Sequence, residues 1–145
     1  MKIFLDTSSL FKLYQVEEGT TELFNFINSK TTTTIFLSEI SKIEFSSTIW
    51  KKVRAKQTSV ESATETLKLF ILDSEKYYFT PTGNLVIDQA SSLITKYGLD
   101  GLRTLDSIQL STCLSLKNEV DIFITHDKLL KSLLEKENLN TDFSI

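Results

Sequence analysis

Three consecutive apolar residues, Ile3, Phe4 and Leu5, run straight into an acid, Asp6, and then into Thr7, Ser8 and Ser9. A strand with one wet face alternates apolar and polar side chains, whereas a strand covered on both faces does not. The opening of the chain therefore reads as a strand of a parallel sheet with helices on both sides. In open sheets of this kind, ligands bind just beyond the carboxyl ends of the strands. Asp6 is placed there. An Asp before Thr-Ser-Ser is also an ordinary turn residue or helix cap, so this stretch alone leaves two readings.

Further strands follow along the chain. The run 31–37 is β-branched and closes on Thr34-Ile35-Phe36-Leu37. Tyr77-Tyr78-Phe79 is a third strand, ended by Thr80-Pro81-Thr82-Gly83 as a turn. Asp121 to Thr125 is the clearest late strand, and Phe143 to Ile145 reads as an edge strand. Between them, apolar residues recur at helical spacing. The first sets are Leu10, Leu13 and Tyr14, then Leu23, Phe24, Phe26 and Ile27. A helix over 39–55, capped by Ser38, places Ile40, Ile43, Ser47 and Trp50 on one face. Thr58 to Glu61 reads as a capping box, and the helix behind it buries Val60, Ala63, Leu67, Phe70 and Ile71. Val86, Ala90, Leu93, Ile94 and Tyr97 form the next set, with Gly98 as its stop. Leu110, Cys113 and Leu114 follow, and then Leu129, Leu130, Leu133 and Leu134 up to Asn138.

At 145 residues, with 41% hydrophobic and 24% charged residues, the chain has room for one domain with a real core. Cys113 is its single cysteine, which excludes an internal disulfide and a zinc-type cysteine cluster. It reads as a small buried hydrophobe. Nothing resembles a signal peptide and no apolar run approaches membrane-spanning length, so a soluble, cytoplasmic protein with no membrane contact is expected. A net charge of −3 weighs against a general nucleic-acid coat protein. It does not exclude a nuclease, whose clustered acids lower the net charge.

Four acids stand out. Asp6 follows the first strand, and Glu44 lies beside an apolar helix stripe. Asp106 is near a helix start in line with Leu110, Cys113 and Leu114. Asp127 follows Thr125 and His126 past the late strand. Each has a plain structural alternative as a cap, a first-turn acid or a stripe-edge residue. In a parallel sheet, however, the strand ends lie along one edge, so distant residues can converge. Converging carboxylates raise one another's pKa values unless a cation joins them. Oxygen ligands without His or Cys favour Mg²⁺ or Mn²⁺ over zinc. A coordinated water can then attack a phosphodiester, and a second ion can stabilise the leaving oxygen. Thr7, Ser8 and Thr125 can hydrogen-bond a carboxylate, a water or the phosphate, and Arg103 can hold a phosphate or serve the structure. His126, the only histidine, reads as a surface loop residue. The basic run Lys51, Lys52, Arg54 and Lys56 is a solvated helix end or meets a polyanion.

The ordered set LDTSSL, S-x(5)-E over Ser38 to Glu44, LRTLDSIQL and FITHD resembles the PIN-domain family, with the closest likeness to VapC toxins of toxin–antitoxin pairs. No single one of these motifs is specific; their order and spacing over essentially the whole chain are. The resemblance implies an α/β fold, a three-layer α/β/α sandwich on a central, mainly parallel sheet. It implies a Mg²⁺-dependent endoribonuclease, homodimeric, with a cognate antitoxin whose tail occupies the acidic site. By position, Asp6, Glu44, Asp106 and Asp127 carry over as the catalytic and metal-binding acids, with Thr125 as the associated hydroxyl. Two departures remove no acid: Gln109 stands where His or Leu is frequent, and Ser107 replaces a common Ala. Lys12, Lys42, Arg54 and Arg103 are candidate RNA contacts.

Competing classes fit less well. A haloacid-dehalogenase-like enzyme needs a second Asp where Ser8 stands, and no G-x(4)-G-K-[ST] is present for a nucleotide loop. A receiver domain needs an acid pair near the first strand and a late Lys, and Thr125-His126-Asp127 does not supply them. The remaining alternative is a catalytically inactive PIN-like domain that binds RNA or a protein partner.

Overall fold

The computed structural model describes residues 1–29, 31 and 34–143. Four parallel strands form one sheet in the order β3-β2-β1-β4: β1 is Lys2–Leu5, β2 Thr34–Ser38, β3 Tyr77–Thr80 and β4 Ile122–Ile124. Ile3 pairs with Ile35 on one side and with Ile122 on the other, so β1 is a central strand. The helices are α1 (Thr7–Phe11), α2 (Thr20–Ser29), α3 (Ser41–Arg54), α4 (Val60–Asp73), α5 (Asn84–Tyr97), α6 (Thr104–Ser115) and α7 (Lys128–Lys136).

The continuous apolar run of β1 has the cause expected of it. Ile3 and Leu5 enter a core with Leu10, Leu23, Phe45 and Phe70, from α1 to α4. Phe4 points the other way, into a core with Phe123 of the neighbouring strand β4 and with Leu93, Leu110 and Leu133, from α5 to α7. Two cores on opposite faces of one sheet make three layers.

Several local expectations are corrected. The helix after β2 starts at Ser41, and Ser38 is the last residue of β2 rather than a cap. The cause lies in the sheet: the Glu39 N–H donates to Thr80 O at 3.0 Å, which prolongs the β2–β3 ladder. The inward stripe of α3 is accordingly Ser41, Phe45 and Ile49. Ile43 and Trp50 are exposed. Phe45 fixes this rotation, stacking on Phe70 at 4.2 Å between ring centroids and touching Phe11 and Tyr14. On α4, Ala63 and Phe70 are buried, whereas Val60 and Ile71 are exposed. Phe24 of α2 is exposed too. Phe143 is not in a strand, and the rest of the expected edge strand, Ser144 and Ile145, lies outside the described residues.

The cap of α4 also shifts by one residue. Ser59, not Thr58, accepts the Ser62 N–H at 3.0 Å. Ser59→Ala is therefore expected to lower the unfolding free energy by about 1 kcal/mol. Thr58→Ala should stay within about 0.5 kcal/mol of the parent. Urea denaturation of the two variants checks the assignment.

Candidate metal-dependent active site

The register of the sheet builds the site. Leu5 pairs with Ile124, and the Asp6 N–H donates to Ile124 O at 3.2 Å, so the ends of β1 and β4 lie side by side. Asp6 caps α1, its Oδ1 accepting the Ser9 N–H at 2.9 Å. Ser8 Oγ donates to the same carboxylate, and Thr125 Oγ1 donates to Oδ2 at 2.6 Å. Both readings of Asp6 therefore hold: it caps a helix and faces the pocket. Three donors serve a group with about four acceptor positions, which leaves room for a cation. Burial nevertheless pushes the Asp6 carboxyl up to about 6, against the opposing effect of these hydrogen bonds.

The other acids line the same cavity, of about 360 Å³, together with Thr7, Ser8, Lys12, Glu17 and Gln109. Glu44 reaches it from the first turn of α3, where its Oε1 accepts the Thr7 hydroxyl at 2.8 Å. Asp106 reaches it from the first turn of α6. Its carboxyl is raised by burial first and by the charge of Asp127 second, partly offset by Arg103. Asp127 caps α7, its Oδ1 accepting the Leu130 N–H at 2.7 Å, and its own N–H donates to Thr125 Oγ1 at 3.0 Å. Asp6, Glu44, Asp106 and Asp127 are thus brought together from four separate elements.

The supporting residues divide. Thr7 and Ser8 line the cavity, whereas Thr125 is buried behind Asp6 and ties the two strand ends together. Arg103 is 82% exposed by side chain, with Nε 3.6 Å from Asp106 Oδ2. Lys12 lines the cavity and pairs with Glu17, which also holds Lys52. Lys42 lies over the Phe79 ring and Arg54 in the last turn of α3, and neither lines the cavity. The sequence reading of His126 as a surface loop residue is corrected. His126 is half-buried and lines the cavity, with Nδ1 2.8 Å from Ser9 Oγ. Burial lowers its pKa below the ordinary value. Gly19 makes room for this ring: its φ is +89°, and a Cβ there would lie 2.9 Å from His126 Nε2. Gln109 and Ser41 were not foreseen as part of the site. Gln109 had a signal, as a polar residue within the buried stripe of α6, whereas Ser41 had none, because the stripe of α3 it belongs to is set by the fold.

The donor set suits a hard divalent cation. It is all oxygen, and two of its carboxyls are raised above their ordinary values by burial, Asp106 also by a neighbouring charge. Among the described residues, no three acidic, histidine or cysteine side chains are gathered tightly enough to clasp an ion directly. Mg²⁺ retains several waters and needs only one or two direct carboxylates.

A sheet of this order with acids at its carboxyl edge has relatives. The PIN domain family model matches residues 3–134, and the chain belongs to that family. Its fold is shared with VapC20 of Mycobacterium tuberculosis, described as a sarcin–ricin loop cleaving toxin. The two are 14% identical with a TM-score of 0.69, over 90% of this chain and 94% of that one. It is shared with a chain of a toxin–antitoxin complex from Klebsiella pneumoniae at 14% identity and TM-score 0.62, over 86% of each chain. VapBC2 of Rickettsia felis, bound to a DNA fragment from its promoter, matches at 14% identity and TM-score 0.64, over 98% of each chain. No curated protein matches the chain in sequence.

Proposed function

We propose that the chain, as a single domain over residues 1–145, is a Mg²⁺-dependent endoribonuclease and the toxin of a type II toxin–antitoxin pair. One observation carries the reading: acids from four separate elements line one pocket at the carboxyl edge of the sheet. Family membership supports the nuclease class, and the toxin–antitoxin relatives support an antitoxin as partner. A homodimer in the cytoplasm is part of the same proposal. Among the described residues, no helix is long and apolar enough to cross a membrane.

When bound, Mg²⁺, or Mn²⁺ in its place, supplies neutralising charge at the scissile phosphate and acidifies a water. The chain's residues do the rest. Asp6 and Asp106 would hold the cation. Asp127, with Oδ1 engaged in capping α7, would offer Oδ2 to a second cation or to a water. Glu44 would hold the cation or orient the attacking water. Thr125 keeps Asp6 in place, while Thr7 and Ser8 line the path of the phosphate. Lys12 and the exposed Arg103 meet phosphate oxygens. Water adds to phosphorus in line as the bond to the 3′-oxygen breaks, leaving a 5′-phosphate and a 3′-hydroxyl.

A second reading is a catalytically inactive module that binds RNA or protein. Incubating purified protein with structured RNAs in Mg²⁺, Mn²⁺ or EDTA separates the two. The proposal expects cutting with either metal and none with EDTA. Tight RNA binding without metal-dependent cutting would support the binding module instead.

A further inference from the structure

Gln109 lies in the middle of α6 and is 2% exposed. A buried amide is unfavourable unless its donors and its acceptor find partners. Its donors do. Nε2 is 2.8 Å from Glu44 Oε1, 3.1 Å from Thr7 Oγ1 and 3.2 Å from Ser41 Oγ. Its acceptor does not: Gln109 Oε1 is buried without a hydrogen-bond partner. The opposite amide orientation would be worse. It would set a carbonyl oxygen 2.8 Å from a carboxylate oxygen with no proton between them. The amide therefore leaves one oxygen orphaned and turns its N–H groups toward Glu44 and the Thr7 and Ser41 hydroxyls.

The effect on Glu44 is specific. Thr7 has one hydroxyl proton, and Thr7 Oγ1 donates to Glu44 Oε1 at 2.8 Å. Ser41 Oγ, 2.9 Å from Thr7 Oγ1, is then the donor in that pair. Glu44 Oε1 so receives two hydrogen bonds, while Oε2 receives none among the described residues. We infer that Gln109 is a positioning residue: by holding Glu44 Oε1, it leaves Oε2 alone to serve the bound cation and its waters. This rests on the metal-nuclease reading above. A purely packing role is a poor account of the same geometry, because Met fills a similar volume without an orphaned oxygen.

The test is calorimetric titration of Mn²⁺ into the full chain, with melting temperature as a second readout. Gln109→Met should weaken Mn²⁺ binding by about 10–100-fold, as loss of a ligand-orienting partner does. The melting temperature of the metal-free protein should be unchanged or higher. Gln109→His, which keeps an N–H donor, should recover most of the affinity. In a Glu44→Ala background, Gln109→Met should add less than about a twofold change, because the amide acts through that carboxylate. Wild-type affinity in Gln109→Met would overturn the inference. So would an equal loss in both backgrounds, or a variant without a cooperative melt, which would assign the amide to the fold. A wild type that binds no Mn²⁺ would instead overturn the metal-nuclease reading on which the inference rests.

Discussion

Asp106→Asn is expected to reduce metal-dependent RNA cleavage by more than about 100-fold, since partners one shell beyond a metal's ligands already contribute about 10–100-fold. The substitution keeps the shape of the side chain and removes its charge. Asp106 is half-buried, and its carboxyl is raised by burial and by the nearby charge of Asp127. Neutralising it therefore relieves repulsion in the metal-free protein and should not lower its melting temperature. Loss of cutting with a retained melt separates a catalytic role from a structural one. Gel assays of RNA cleavage beside thermal melts of both proteins supply the two readouts. Equal cutting by variant and wild type would mean that the activity arises elsewhere.

Asp6→Asn is expected to make the metal-free protein more stable at neutral pH, although it removes a residue with three hydrogen-bond donors around it. The folded-state carboxyl stands at about 6, against 3.8 for the ordinary group. Below about pH 3 both folded and unfolded chains hold this proton. Between about 4 and 6 the unfolded chain releases it first, so stability falls as pH rises. Above 6 the loss is complete, and about two units correspond to about 3 kcal/mol. Asn has no such proton to lose, and it caps helices about as well as Asp. Its amide oxygen can still accept from Thr125 or from the Ser9 N–H. In EDTA, the stability difference between variant and wild type should therefore grow by about 2 kcal/mol from pH 4 to pH 7. Mn²⁺ should reverse the order, because it stabilises only a protein that binds it. Parallel pH curves in urea denaturation would show that Asp6 ionises without penalty.

The parts of the fold and site that were legible share a cause. The strands β1 and β4 were readable because burial on both faces removes polar residues from them, as in Ile3-Phe4-Leu5 and Ile122-Phe123-Ile124. Asp6 and Asp127 were readable because an acid within a few residues of the end of such a strand falls at the sheet edge. The rotation of α3 was not readable. Ile40, Ile43 and Trp50 form as good a stripe in sequence as Ser41, Phe45 and Ile49. What decides between them is the Glu39 link to β3, which delays the helix, and the ring of Phe70, which arrives from another helix. Glu44 lines the pocket although α3 is rotated from its sequence reading, since it borders both stripes. Gln109 and His126 were missed as site residues because their partners lie far off in sequence. Gln109 answers to Glu44, 65 residues away, and His126 to Ser9, 117 residues away. A single polar residue in a buried stripe signals that a partner exists, but not which one.

The central claim is that a divalent cation sits among acids from four elements, and anomalous diffraction from Mn²⁺-soaked crystals tests it most directly. The account predicts a manganese peak within bonding distance of Asp6 and Asp106, with Glu44 and Asp127 around it. A pocket without manganese, in crystals whose metal sits on other surface carboxylates, would contradict it.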